Sequence, residues 1–158
     1  EWGGAQELID MAVPEDDYLI GSFHTYDPWP FGLEGTGPFG PSEIRALDEK
    51  FAAVKAWSDQ HGIPVLLGEF GCHRDADYNQ RMKHYKTYMD LIRKYGFIFS
   101  VWDDGGNFGV MQRAAYSWNE IKDILIHYTA SSPANPLLSL YQDTLINLAW
   151  VNRATDST

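Results

Sequence analysis

Three short apolar runs in this chain each break at residues able to do chemistry. "YLIGSF" leads into His24, Thr25, Tyr26 and Asp27; "IPVLLG" leads into Glu69; "FIFSV" leads into Trp102, Asp103 and Asp104. A run that is apolar at nearly every position has no wet face, so as a strand it must be covered on both sides. Strands of that kind belong to parallel sheets flanked by helices. Helical spacing fills the intervals. Ile44, Leu47, Phe51, Val54 and Trp57 recur on one face between Ser42, a candidate cap, and Gly62. Met82, Tyr85, Met89 and Ile92 do the same between Asp77 and Gly96.

The spacing predicts strands over 18–24, 63–69 and 97–102, a short helix over 4–12, and a long irregular loop over the proline- and glycine-rich 27–41. Ser117 and Glu120 read as a capping box for a helix through Ile121, Ile124, Leu125 and Tyr128. One more helix is expected within 137–150, followed by a frayed polar tail. Strands alternating with helices imply an α/β fold with a parallel sheet. Two architectures share that alternation. A doubly wound sheet would usually carry a glycine-rich phosphate loop, and neither GxGxxG nor GxxxxGK[ST] occurs. An α/β barrel gathers its active residues at the C-terminal strand ends. His24, Tyr26, Glu69 and Trp102 would then meet at one mouth. Taken singly, a strand-end His or Tyr is more often structural; a carboxylate behind an apolar run needs pairing or a function.

Bulk properties exclude several classes. A net charge of −10 with no Lys/Arg cluster argues against nucleic acid. The single cysteine, Cys72, permits no intrachain disulfide and no cysteine-built zinc site. Cys72 beside His73 raises a metal or a thiol nucleophile, but no third ligand follows at a fitting spacing. No apolar run reaches the roughly 18 residues of a membrane span. His61, His84 and His127 read as solvent-facing positions on or beside helices, and Asp16 and Asp17 as a solvated turn. The aromatic content of 15% suits either a large core or the stacking of flat ligands such as sugars.

"HTYDPWPFG", "VLLGEFG" and "VWDDGGNFGV", in that order and spacing, resemble the sixth, seventh and eighth strand ends of glycoside hydrolase family 5, the cellulase family of retaining (β/α)8 barrels. "EWGGAQELIDM" resembles the stretch after the fifth strand of its endoglucanase-like members. The likeness runs to about Tyr128. It implies a C-terminal partial TIM barrel over 1–130, strands one to five being absent, and an extension over 131–158.

The resemblance also implies roles. Glu69 matches the catalytic nucleophile, and His24 and Tyr26 the pair beside it, the tyrosine hydroxyl holding the carboxylate. Trp102 matches the platform under the sugar at the cleavage point. Chemistry agrees with this: retention needs an ionised carboxylate to attack the anomeric carbon, and hydrogen-bond donors around such a group keep it ionised. Trp29 and Trp2 are candidates to stack further sugars, and Asp104, Asn107 and neighbouring Asp103 to bond sugar hydroxyls. The family's acid/base comes from an Asn-Glu motif on the fourth strand. The one Asn-Glu here, Asn119-Glu120, opens a predicted helix and is rejected for that role. The expected reading is therefore an endo-β-1,4-glucanase part. It needs no metal or organic cofactor, is secreted, and is completed by an N-terminal barrel part from the same protein or a second chain. Mannan, xyloglucan and mixed-linkage glucan stay open as substrates. So does a carbohydrate-binding or structural module without catalysis. An esterase would want a G-x-S-x-G elbow, and none occurs.

Overall fold

Three parallel strands form the centre of the molecule: β1 (Gly21–His24), β2 (Val65–Glu69) and β3 (Ile98–Phe99), side by side in that order. The computed structural model describes residues 3–130. Trp2 and the helix expected within 137–150 lie outside the described residues.

The crossovers between strands are long helices, as parallel connections require. α3 (Pro41–His61) joins β1 to β2, and α4 (Tyr78–Tyr95) joins β2 to β3. Both end on glycines in the left-handed region, Gly62 at φ 69° and Gly96 at φ 71°. Asp77 caps α4, its carboxylate accepting from the Gln80 N–H at 3.0 Å. α3 does not begin on a Ser42 cap. Pro41 opens it, because a proline's missing N–H is no loss in a first turn. The Glu43 carboxylate reaches back to the Gly40 N–H at 2.8 Å, and Ser42 bonds that same side chain.

β1 starts three residues later than the apolar run does. The Asp16 carboxylate takes the Tyr18 N–H at 2.7 Å and turns the chain, leaving Tyr18 and Ile20 exposed. β3 is shorter than the run 97–102, but its pairing continues past the strand: Ser100 N–H donates to the Leu67 carbonyl and Trp102 N–H to the Phe70 carbonyl, each at 2.9 Å.

The segment 27–41 is not wholly irregular. α2 (Trp29–Glu34) forms inside it, with Pro30 in its first turn. A second departure lies after β3. β4 (Met111–Gln112) and β5 (Ser117–Trp118) make an antiparallel hairpin around a 3-10 turn, Arg113–Ala115. Ser117 therefore sits in a strand and caps nothing. Asn119 takes that place, its side chain accepting from the Ile121 N–H at 3.0 Å at the start of α5 (Ile121–Ala130).

The core between sheet and helices is aromatic. Phe23 meets Phe51 and Phe97 edge-on, at 5.6 and 5.9 Å between centroids. Phe70 stacks on Tyr88 at 5.1 Å. Phe23, Phe51, Phe70, Leu67, Tyr85 and Tyr88 are all fully buried, and each such side chain contributes about 2 kcal/mol by leaving water. α1 (Ala5–Asp10) packs Leu8 into the same core.

Candidate active site

β1 and β2 pair in a register that sets His24 opposite Glu69. The Thr25 N–H donates to the Glu69 carbonyl at 3.1 Å. The two strand ends are thus locked together where their side chains leave the sheet. Tyr26, two residues past His24, returns over β2 and donates its hydroxyl to Glu69 Oε2 at 2.9 Å. His24 Nδ1 lies 3.7 Å from the other oxygen, Oε1. The carboxylate is about a third exposed, so its face stays open toward solvent while Oε2 is bonded and Oε1 faces the imidazole. Burial, then the bond to Glu69 and its negative charge, push the Tyr26 phenol well above its ordinary range. Tyr26 is therefore a fixed proton donor at any working pH.

Small residues make this fit. A Cβ on Gly68 would come within 2.8 Å of both His24 Nε2 and Ser22 Oγ, so the imidazole lies directly over the Gly68 backbone. A Cβ on Gly32 would fall 1.8 Å from the Tyr26 carbonyl oxygen. That explains why α2 can press against the residue carrying the phenol. Phe108 closes the other side of the Tyr26 ring edge-on at 5.4 Å.

The turn after Tyr26 is held from below. The Asp27–Pro28 peptide is cis. The Asp27 carboxylate accepts from Thr25 Oγ1 at 3.1 Å and pairs with Lys50 of α3. The Asp27 carbonyl accepts from Tyr88 Oη and from His84 Nε2, both at 3.1 Å. His84 is not solvent-facing as its sequence position suggested. It is fully buried in a box of Phe31, Phe39, Tyr85 and Tyr88, with ring centroids 4.5–5.9 Å away. Burial lowers it to about 4, so it is neutral, and its bond to a carbonyl puts the proton on Nε2. Nδ1 is left buried without a partner, at a cost of roughly 1–3 kcal/mol. The signal was present in the sequence: His84, Tyr85 and Tyr88 share the apolar stripe of α4.

Trp102 stands just beyond β3 and is 41% exposed, presenting its indole at the same end of the sheet as Glu69. Trp29 opens α2 and is also exposed. The acidic pair after Trp102 shapes its own loop. Asp103 accepts from the N–H groups of Gly105, Val110 and Met111 at 2.9–3.1 Å. Burial pushes its carboxyl up, but these bonds outweigh that and hold it below its usual range. Asp104 Oδ1 accepts from Gly106 and Phe108 at 2.7 and 3.0 Å. Asn107 is exposed, and its carbonyl accepts from the Arg74 N–H at 2.8 Å. Cys72 is fully buried, and burial pushes its thiol up to about 12. A thiol that stays protonated is no nucleophile. Glu120 is exposed in the turn before α5.

The profile of Cellulase (glycosyl hydrolase family 5) matches residues 1–107. The chain belongs to that family. Similar proteins include Endoglucanase H of Acetivibrio thermocellus, 40% identical over 105 residues, which are 66% of this chain and 12% of that protein. Endoglucanase B of Ruminococcus albus is 31% identical over 142 residues, 83% of this chain and 34% of that one. Among solved structures, Thermotoga maritima Cel5A in complex with cellobiose superposes with a TM-score of 0.71 at 28% identity, covering 81% of this chain and 45% of that chain. The same enzyme was solved with a mannotriose substrate, giving a TM-score of 0.70 at 27% identity. The chain thus spans about a third or less of these curated relatives and under half of the solved enzyme. Its three-stranded parallel sheet and crossover helices are part of a family 5 (β/α)8 barrel.

Proposed function

We propose that this chain is the nucleophile-bearing part of a retaining endo-β-1,4-glucanase. The observation that carries the reading is the strand-end carboxylate of Glu69, bonded at 2.9 Å by the half-buried phenol of Tyr26 and flanked by His24. A Glu69 oxygen attacks the anomeric carbon of the sugar while the bond from that carbon to the leaving oxygen breaks. The leaving oxygen takes its proton from a general acid. Water then displaces Glu69 and gives its own proton to that same group, now acting as base. The bond donated by Tyr26 and the imidazole beside it keep the Glu69 side chain aimed at the anomeric carbon.

The acid/base belongs, in this proposal, to a complementary N-terminal barrel part, in the same protein or a second chain. The family resemblance and the greater length of the relatives support that assignment. The exposed indole of Trp102 fits the C–H face of a pyranose beside Glu69, and Trp29, Asp104 and Asn107 extend the polar and aromatic surface around it. Neither a metal nor an organic cofactor enters the reaction. A β-glucan polymer is too large to enter a cell, which supports secretion. The relatives' names favour glucan over other β-linked polymers; the mannotriose complex of Cel5A keeps mannan as a second substrate to assay.

The test is mechanism-based labelling of the active enzyme with a 2-deoxy-2-fluoro cellobioside, followed by peptide mass spectrometry. The label should appear on Glu69, and Glu69→Gln should remove both the label and turnover of carboxymethyl-cellulose. Label on another carboxylate, or turnover that survives the substitution, would exclude the proposed role.

A further inference from the structure

We propose that Tyr88 and His84, on α4, are positioning residues for Tyr26: they grip the backbone carbonyls on either side of it and so fix the direction in which its phenol meets Glu69. The proposal deepens the reading of Glu69 as nucleophile and rests on it.

A tyrosine hydroxyl lies at the far end of a rigid ring with two side-chain torsions, so a small rotation of its backbone swings the hydroxyl away from a fixed partner. Tyr26 sits in a loop, one residue past the last ladder bond of β1 to β2. The sheet alone does not hold it. The hydroxyl of Tyr88 spans the gap: it lies 3.4 Å from the Thr25 carbonyl and 3.1 Å from the Asp27 carbonyl, the peptide oxygens before and after Tyr26. His84 Nε2 adds a second donor to Asp27 at 3.1 Å. Both donors come from one helix, and both are fully buried. Tyr88 is stacked on Phe70, the residue directly after Glu69. The clamp therefore touches the loop carrying the phenol and the strand carrying the carboxylate at once.

The placement of His84 argues that these bonds have a purpose beyond packing. A phenylalanine would fill the same aromatic box without leaving a nitrogen unpaired. A neutral imidazole gains there only the bond to Asp27. Lys50 and Thr25 already satisfy the Asp27 side chain, so the α4 donors act on the backbone and not on the charge. Positioning of this kind is how a rigid scaffold holds a site within the small tolerance that catalysis needs.

The experiment is a double-mutant cycle on the active enzyme, with an aryl cellobioside as substrate. Tyr88→Phe keeps the ring and its stacking and removes only the hydroxyl. It should lower kcat about tenfold, leave KM nearly unchanged and leave the melting temperature close to that of the wild type. In the Tyr26→Phe background, where there is no phenol left to aim, the same change should cost less than about twofold. Equal losses in both backgrounds, or an unchanged kcat, would overturn the clamp. Where Tyr88→Phe yields no folded enzyme, His84→Phe takes its place in the cycle with the same criteria. Glu69→Gln run alongside separates the two levels. An inactive Glu69→Gln with additive losses refutes the clamp alone; an active one refutes the underlying reading and the clamp with it.

Discussion

Acidification should unlock this fold through His84 before its carboxylates titrate. The ring is fully buried, and burial lowers it to about 4 from an ordinary 6.5. The Asp27 carbonyl bonded to its Nε2 and the Asp27 carboxylate pull it back up, and the Arg81 charge adds to the lowering. In the unfolded chain the imidazole is free to protonate at its ordinary value. Between those two values the unfolded state binds more protons than the folded one, so stability falls as pH falls. Integrating that difference gives a loss of about 2 kcal/mol between pH 7 and pH 5, and about 3 kcal/mol by pH 4. The upper part of this window lies above the range of ordinary carboxylates, so His84 can be read there with little interference. The assay is urea unfolding of the enzyme at fixed ionic strength, comparing the wild type with His84→Phe from pH 7 to pH 5. The substituted ring packs in the same aromatic box but cannot titrate. The wild-type curve should fall below its pH 7 value by about 2 kcal/mol more than the variant's does. Parallel curves would refute the reasoning, because they would mean that His84 is either solvated or already protonated in the folded state.

Other outcomes follow from the same geometry. Tyr26→Phe removes a hydrogen bond to a charged group, about 1.5–3 kcal/mol, and should lower kcat/KM by roughly ten- to a hundredfold in steady-state assays on an aryl cellobioside. Gly32→Ala drives a methyl into the Tyr26 carbonyl, 1.8 Å away; it should destabilise the fold by about 2 kcal/mol or more, read by urea unfolding. Asp103→Ala strips the acceptor from the N–H groups of Gly105, Val110 and Met111; it should raise KM for cello-oligosaccharides through a loosened Trp102 loop, with faster hydrogen exchange at those amides. Residues 1–158 purified alone should not hydrolyse carboxymethyl-cellulose, since general-acid assistance is worth about 10²–10⁴ in rate.

The strand ends were legible in the sequence because covered strands leave few polar positions until they finish; Ser22 is the exception in β1. Glu69, His24 and Tyr26 stand out against their apolar runs for that reason, and the structure brings the three together. The helices between them were legible by period and by their terminal Asp77, Gly62 and Gly96. The β4–β5 hairpin was not. Its strands are two residues each, too short for alternation to register, and Ser117 and Glu120 imitate a helix start. α2 was hidden by Pro28, Pro30 and its glycines, residues that normally signal irregular chain. His84 was misread because a histidine in a helix is usually a surface residue. Its place on the apolar stripe of α4 pointed inward, but its partner, the Asp27 carbonyl 57 residues away, is a tertiary contact that no local pattern shows.

The bond from Tyr26 to Glu69 closes across 43 residues of sequence, and among the described residues the groups that orient those two side chains lie between Gly3 and Phe108. The aim of the carboxylate is therefore inherited as a block. Recombining this stretch with the barrel remainder of a related family 5 enzyme would transfer the Glu69 carboxylate already oriented. Only the match to the other carboxyl would be left for the junction to solve. For directed recombination, a junction ahead of Gly3 keeps this block whole, because the Gly3 carbonyl accepts from the His24 N–H and α1 packs Leu8 into the same core.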